Sequence, residues 1–377
     1  MHFPRRLIEK LDARQRENAL RELRSPASLV DFASNDYLGF ARDAALFHEA
    51  QQRIEHAGAI ANGSTGSRLI TGNHALYEAT ETMIAAYHDA TSALIFNSGY
   101  DANLGFFSSV PQKDDIILYD ELCHASIRDG LRLSPAKSYK FRHNDTEDLK
   151  GLLKRHTASE IYVVTETVFS MDGDSPLLEE FVRLCEEFGA LLVLDEAHAL
   201  GVIGEKGEGL AQQLGLHTSV FARLVTFGKA LGCHGAAILG DVQLRAYLVN
   251  YARSFIYTTG LPPHSLATIQ SAYAALETTG ERAALRHLIA VFNREKNLLS
   301  LKPLFIRSMS AIQCAVLPGN ENVKKVALEL QTAGFDVRPI LSPTVPVGQE
   351  RLRFCLHSFN SESEIKEILR LLRNFTL

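Results

Sequence analysis

The chain reads as an α/β protein with three parts: a large domain built on a mostly parallel sheet flanked by helices, a small C-terminal α+β domain, and an N-terminal arm. Three observations carry this. Between about residues 45 and 270, short apolar runs alternate with helical stretches. That rhythm builds a parallel sheet covered on both faces. Beyond about residue 270 the rhythm changes to helices mixed with consecutive strands. Ahead of both lies an amphipathic segment separated by a polar turn.

The elements follow in order. Leu7, Ile8, Leu11, Ala19, Leu20 and Leu23 recur at roughly helical spacing over residues 5–24, which predicts a helical arm within 1–44. Ser34-Asn35-Asp36-Tyr37-Leu38-Gly39 is a polar turn. In the large domain, 45–270, a helix is expected over 75–88 and strands over 93–96, 116–119, 161–165, 191–194 and 224–227. In the small domain, 271–377, one long helix is expected to fill 263–300 across the boundary. A strand (311–317), a helix (322–333), two strands (336–340 and 351–356) and a last helix follow. Ser361-Glu362-Ser363-Glu364 has the Ser-x-x-Glu form of a capping box opening that helix.

Composition narrows the function classes. The chain is 46% hydrophobic and 22% charged, the balance of a globular protein and not of a disordered one. A net charge of −5 gives no global reason to expect nucleic acid or a membrane as partner. No apolar run approaches the ~20 residues that span a bilayer, and charges interrupt the N-terminal segment, which reads as a helix and not a signal peptide. The expectation is a cytoplasmic protein. Cys123, Cys185, Cys233, Cys314 and Cys355 lie far apart, at no metal-ligand or redox spacing, so buried thiols and no metal site are expected.

Several segments place chemistry-bearing residues where a parallel sheet binds ligands, at the carboxyl ends of strands. Asp195-Glu196-Ala197-His198 follows an apolar run. Asp195 there suits a protonated ring nitrogen, and equally a Mg²⁺ ion or a helix N-cap. Thr226-Phe227-Gly228-Lys229 follows another. Lys229 among small, uncharged neighbours suits Schiff-base chemistry, because desolvation favours the neutral amine; a plain surface lysine is the alternative. A P-loop is rejected, since Ala230 follows the lysine and Arg223 stands where the first glycine belongs. Asn97-Ser98-Gly99-Tyr100 suits a phosphate at a helix N-terminus, though Ser-Gly turns are common. Gly63-Ser64-Thr65-Gly66-Ser67-Arg68 is an anion site, a subunit contact or a solvated turn. Arg351 and Arg353 share one strand face; either one clamps a carboxylate, or both are exposed edge charges.

These segments, with His124-Ala125-Ser126 and Ser170-Met171-Asp172-Gly173-Asp174, are similar in type and order to those of the α-oxoamine synthases. The resemblance runs from about Arg5 to the C-terminus. It implies fold type I of the pyridoxal 5′-phosphate (PLP) enzymes, with a seven-stranded sheet, and a homodimer. It implies that Lys229 links to the cofactor and moves the substrate's α-proton, and that Asp195 pairs with the ring nitrogen. His198, with Ser170 beside it, would bond the phenolic oxygen, and His124 would stack on the ring. Gly99, Tyr100 and Thr226 would bind the phosphate. Arg353, with Asn35 close by, would take the amino-acid carboxylate, and Arg21 and Thr344 would contact the acyl substrate.

Leu11-Asp12-Ala13-Arg14, Arg142-His143-Asn144-Asp145, Val168-Phe169-Ser170 and Pro343-Thr344-Val345-Pro346 resemble the family members that serve biotin synthesis. That implies decarboxylative condensation of L-alanine with a pimeloyl thioester, on coenzyme A or a carrier protein. Glycine C-acetyltransferase, 5-aminolevulinate synthase, serine palmitoyltransferase and long-chain amino-ketone synthase are the sibling activities. A noncatalytic PLP-fold subunit would be expected to lack Lys229 or Asp195. Thr65 stands where the family more often has glycine, and Leu341 where relatives often have arginine.

Overall fold

Mostly apolar runs become most of the strands of the larger unit. A computed structural model describes residues 3–23 and 28–376. The contacts divide them into two units: Asp36–Ser170 with Ser175–Arg282, and Met1–Asn35 with Met171–Asp174 and Ala283–Leu377.

The larger unit holds a seven-stranded sheet. In chain order its strands are β1 (Ser92–Phe96), β2 (Ile116–Asp120), β3 (Lys137–Phe141), β4 (Ile161–Glu166), β5 (Leu191–Asp195), β6 (Ala222–Thr226) and β7 (Ala236–Gly240). Their spatial order is β1-β7-β6-β5-β4-β2-β3. Every neighbouring pair is parallel except those made by β7, which runs against both β1 and β6. Alternate residues serve opposite faces. Tyr162 and Val164 of β4 join Phe106, Phe107, Ile127 and Leu131 in one buried cluster. Val163 joins Leu149, Phe181 and Leu184 in the other. With both faces covered, the strands need no polar side, so they read as apolar runs.

Two strands of this sheet escaped the sequence reading. β3 reads Lys-Ser-Tyr-Lys-Phe; it lies at the sheet edge, where charged side chains reach water. β7 is Ala-Ala-Ile-Leu-Gly, short and poor in β-branched residues, and holds its place through two antiparallel ladders. The long helix expected over 263–300 is two helices, Pro263–Thr278 and Glu281–Leu298. Thr279 turns extended (φ −66°, ψ 138°), and its hydroxyl accepts the Glu281 N–H at 3.1 Å. The Thr279-Gly280 pair combines two poor helix formers with a ready N-cap.

In the smaller unit, β8 (Ile312–Val316), β9 (Arg338–Ile340) and β10 (Arg351–Cys355) form an antiparallel sheet with β10 in the centre. The strand expected over 336–340 is divided. Phe335–Asp336 pairs with Val30–Asp31, while β9 joins β10, with buried Val337 between them. The closing helix Glu362–Thr376 buries Ile365, Ile368, Leu369 and Leu372. The capping box forms: Ser361 N–H donates to Glu364 Oε2 at 2.7 Å and Glu364 N–H to Ser361 Oγ at 3.2 Å. The N-terminal helix spans Arg5–Arg16 and leaves Leu7, Ile8 and Leu11 exposed. It ends early because Asn18 takes a left-handed conformation (φ 52°). Arg24 of the expected arm lies outside the described residues. All five cysteines are free thiols, four buried and Cys233 half-buried. No helix among the described residues is long and apolar enough to cross a membrane.

Candidate active site

Asp195, Glu166 and Thr226 are the last residues of β5, β4 and β6, so three adjacent parallel strands end in polar side chains. Asp195 is buried, and its carboxylate is held in place. Oδ2 accepts from Asn103 Nδ2 at 2.9 Å and Oδ1 from the Ala197 N–H at 2.9 Å. The adjacent Glu196 serves a different purpose. It accepts from the buried Arg223 Nε at 2.8 Å and from the Ala211 N–H at 3.1 Å. The two carboxylates, adjacent in sequence, are therefore one group anchored at the strand end and one member of a buried ion pair.

Asn103 lies on helix Gly99–Ser109, one turn after Gly99. Its Nδ2 also donates to Ser126 Oγ at 3.0 Å. Ser126 Oγ then lies 2.7 Å from His124 Nδ1, which also accepts the Ser126 N–H at 3.2 Å. Because Nδ1 accepts the Ser126 N–H, it carries no proton of its own, which puts the His124 proton on Nε2. Burial, and after it the opposing pulls of Asp195 and Lys229, leave the His124 pKa below its ordinary value. His124 is thus a neutral ring at the N-cap of helix Ala125–Leu133. His198 Nδ1 lies 2.8 Å from the Tyr37 hydroxyl, and both residues are buried. Ser170 lies half-buried in the turn after β4.

Thr226 Oγ1 is buried and has no hydrogen-bond partner among the described residues. Next to it begins helix Gly99–Ser109, capped by Ser98 Oγ on the Asp101 N–H at 3.0 Å. A Cβ at Gly99 would come within 2.6 Å of Thr226 Cγ2, so only glycine lets the helix start this close to β6. Tyr100 is exposed, and its hydroxyl bonds Asp129, which raises its pKa.

Lys229 is half-buried in the loop between β6 and β7. Phe227 N–H donates to Gly235 O at 2.9 Å and Cys233 N–H to Phe227 O at 2.8 Å, closing that loop as a hairpin end. Gly232 N–H donates to Lys229 O at 2.9 Å. Gly232 has φ 62°, and a Cβ there would run into the Ala41 backbone.

In the smaller unit, Arg353 Nη2 donates to Asn35 Oδ1 at 2.9 Å, and Arg21 Nη2 to Thr344 Oγ1 at 3.1 Å. Arg351 is bound to Asp172 and to Met171 O. Both arginines of this strand are buried, since β10 is central and not an edge. Arg68 is bound to Glu81 and Asn73 and lies 3.8 Å over the Tyr77 ring, which makes it a support of its loop. The Arg142-His143-Asn144-Asp145 run is a turn: Asn144 is left-handed (φ 52°), its N–H donates to Asp120, and Asp145 caps helix Thr146–Arg155. Asn103, Glu166 and Tyr37 were not singled out from sequence. Glu166 ends an apolar strand as Asp195 does, and that signal was there to be read.

A family model of class I and II aminotransferases matches residues 27–372. The chain belongs to this family. An 8-amino-7-oxononanoate synthase of Emericella nidulans is 41% identical over 367 residues, covering 91% of this chain and 88% of the relative. The solved 8-amino-7-oxononanoate synthase of Francisella tularensis superposes with a TM-score of 0.78 at 29% identity, covering 92% of this chain and 97% of the other. Serine palmitoyltransferase from S. paucimobilis, solved with a bound PLP–myriocin aldimine, gives a TM-score of 0.87 at 25% identity over 98% and 96% of the two chains. All three are α-oxoamine synthases, and this class I/II aminotransferase-family chain shares their fold type I architecture, with PLP as its cofactor.

The residues present fit that group. A buried carboxylate suits a pyridinium nitrogen. The unpartnered Thr226 hydroxyl beside a helix N-terminus cleared by Gly99 suits a phosphate. Lys229 offers a primary amine on a fixed loop.

Proposed function

We propose that this chain is an 8-amino-7-oxononanoate synthase, condensing L-alanine with a pimeloyl thioester and releasing CO₂ and the thiol. Its relatives at about this size and identity carry that activity in their names. The observation that carries the site assignment is the Asp195 carboxylate, fixed by Asn103 and Ala197 at a strand end, with Lys229 following the next strand.

PLP, when bound, supplies an electron sink for the α-carbon of the amino acid. The chain's own residues do the rest. Asp195 holds a proton on the ring nitrogen, and Asn103 keeps that carboxylate from turning away. Thr226 and the N–H groups of Gly99 and Tyr100 bind the phosphate. His124 would stack on the ring as a neutral imidazole. His198, oriented by Tyr37, bonds the phenolic oxygen, with Ser170 beside it. The amine of Lys229 holds the cofactor and then takes and returns the α-proton. Arg353, oriented by Asn35, takes the alanine carboxylate. Arg21 and Thr344, which bond each other, contact the acyl substrate. We read the protein as a cytoplasmic homodimer whose thioester donor is pimeloyl-CoA or a pimeloyl carrier protein.

The test is thiol release from pimeloyl-CoA with added PLP, run with L-alanine, glycine and L-serine in parallel. Release selective for L-alanine, abolished in Lys229→Ala, supports the proposal. Release selective for glycine or serine moves the chain to a sibling activity.

A further inference from the structure

The site holds a second buried carboxylate to which the proposed function gives no task. Glu166 is 3% exposed and stands in register with Asp195 across the β4–β5 ladder. Residues in register on parallel strands turn their side chains to the same face. Glu166 Oε1 accepts the backbone N–H of His124 at 2.6 Å. That N–H belongs to the N-cap residue of helix Ala125–Leu133, so this bond holds the point from which the His124 ring projects.

The surroundings of Glu166 disfavour its charged form. Asp195 accepts from an amide NH₂ and a backbone N–H. Burial, then the Asp195 charge, pushes Glu166 up to about 8; Asp120 adds to this, while Lys229 and the His124 N–H oppose it. Two buried carboxylates turned to the same face of a sheet disfavour holding two charges. A pKa raised this far favours the neutral acid at Glu166.

We propose that Glu166 is a positioning residue that fixes His124 through one oxygen accepting its backbone N–H, a task that needs an acceptor and not a charge. This rests on the PLP reading of the site. Glutamine matches the neutral acid in shape and keeps the acceptor; alanine removes it and leaves a buried N–H unpaired.

The experiment compares wild type, Glu166→Gln and Glu166→Ala by PLP titration, by kcat and KM for L-alanine, and by thermal unfolding of the cofactor-free proteins. Glu166→Gln should bind PLP and turn over within about threefold of wild type. Glu166→Ala should lose about tenfold or more in PLP affinity, ~1.4 kcal/mol, together with kcat. A third variant, Glu166→Leu, keeps the bulk without the acceptor and separates positioning from packing: it should lose PLP affinity as alanine does, and a leucine variant equal to wild type overturns the proposal. A glutamine variant as damaged as the alanine variant overturns the proposal, because the charge would then be needed. An alanine variant equal to wild type overturns it too. Wild type that binds no PLP instead overturns the underlying reading, and the proposal with it.

Discussion

Asn103 Nδ2 lies 2.9 Å from Asp195 Oδ2 and 3.0 Å from Ser126 Oγ, so one amide group ties the carboxylate of β5 to the serine that polarises His124. Hydrogen bonds to charged groups are worth ~1.5–3 kcal/mol, and a buried acceptor left unpaired loses that order of stability. Asn103→Ala should weaken PLP binding tenfold or more on that scale, about 1.4 kcal/mol per decade. Asn103→Asp should be worse, since it puts a second carboxylate against Asp195. Fluorescence titration with PLP measures both. Wild-type affinity in either variant would show that Asp195 needs no such anchor.

Asp31 gives a pH signature in the smaller unit. Burial acts to raise its pKa, but the N–H groups of Ser34 and Ala33, the Ser34 hydroxyl and the charge of His357 outweigh it and hold it near about 2. The folded value lies below the unfolded one of 3.8. The stabilisation is therefore complete above pH 3.8 and is lost as pH falls toward 2. With allowance for screening at a half-exposed group it amounts to about 1–2 kcal/mol. Asp31→Asn should lower the urea midpoint at pH 7, and the gap should close toward pH 2. A gap of constant size across that range would refute the linkage.

Thr65 is exposed and takes φ 56°, a conformation that a β-branched side chain rarely adopts. Such backbone strain costs about 1–3 kcal/mol, while glycine adds unfolded-chain entropy worth about 0.4–1 kcal/mol. Thr65→Gly should therefore raise stability by about 1 kcal/mol net. Urea unfolding of the two proteins decides the matter, and a lowered midpoint would count against the strain argument.

The strands that carry the site were legible because a sheet covered on both faces is apolar throughout, and Asp195 and Thr226 stand where those apolar runs stop. β3 was not, since an edge strand with two lysines looks like a loop. Asn103 was not, because a polar residue inside a helix resembles a solvent-facing one until the helix is placed against β5. Glu196 and Asp195 are neighbours in sequence, and only the fold shows that one meets Arg223 and the other Asn103. Thr279-Gly280 was read through because helical periodicity continues on both sides of it.

The reversed direction of β7 has a mechanical result. Most loops at this end of the sheet leave for a helix and return much later. The one bearing Lys229 leaves β6 and re-enters the sheet at once through β7, so both its ends are stitched into central ladders. Its backbone is held at both ends and by the Gly232 N–H on Lys229 O between them. With the backbone held there, rotation about its own four methylenes is the main freedom left to the amine, so the range it sweeps is set largely by side-chain torsions.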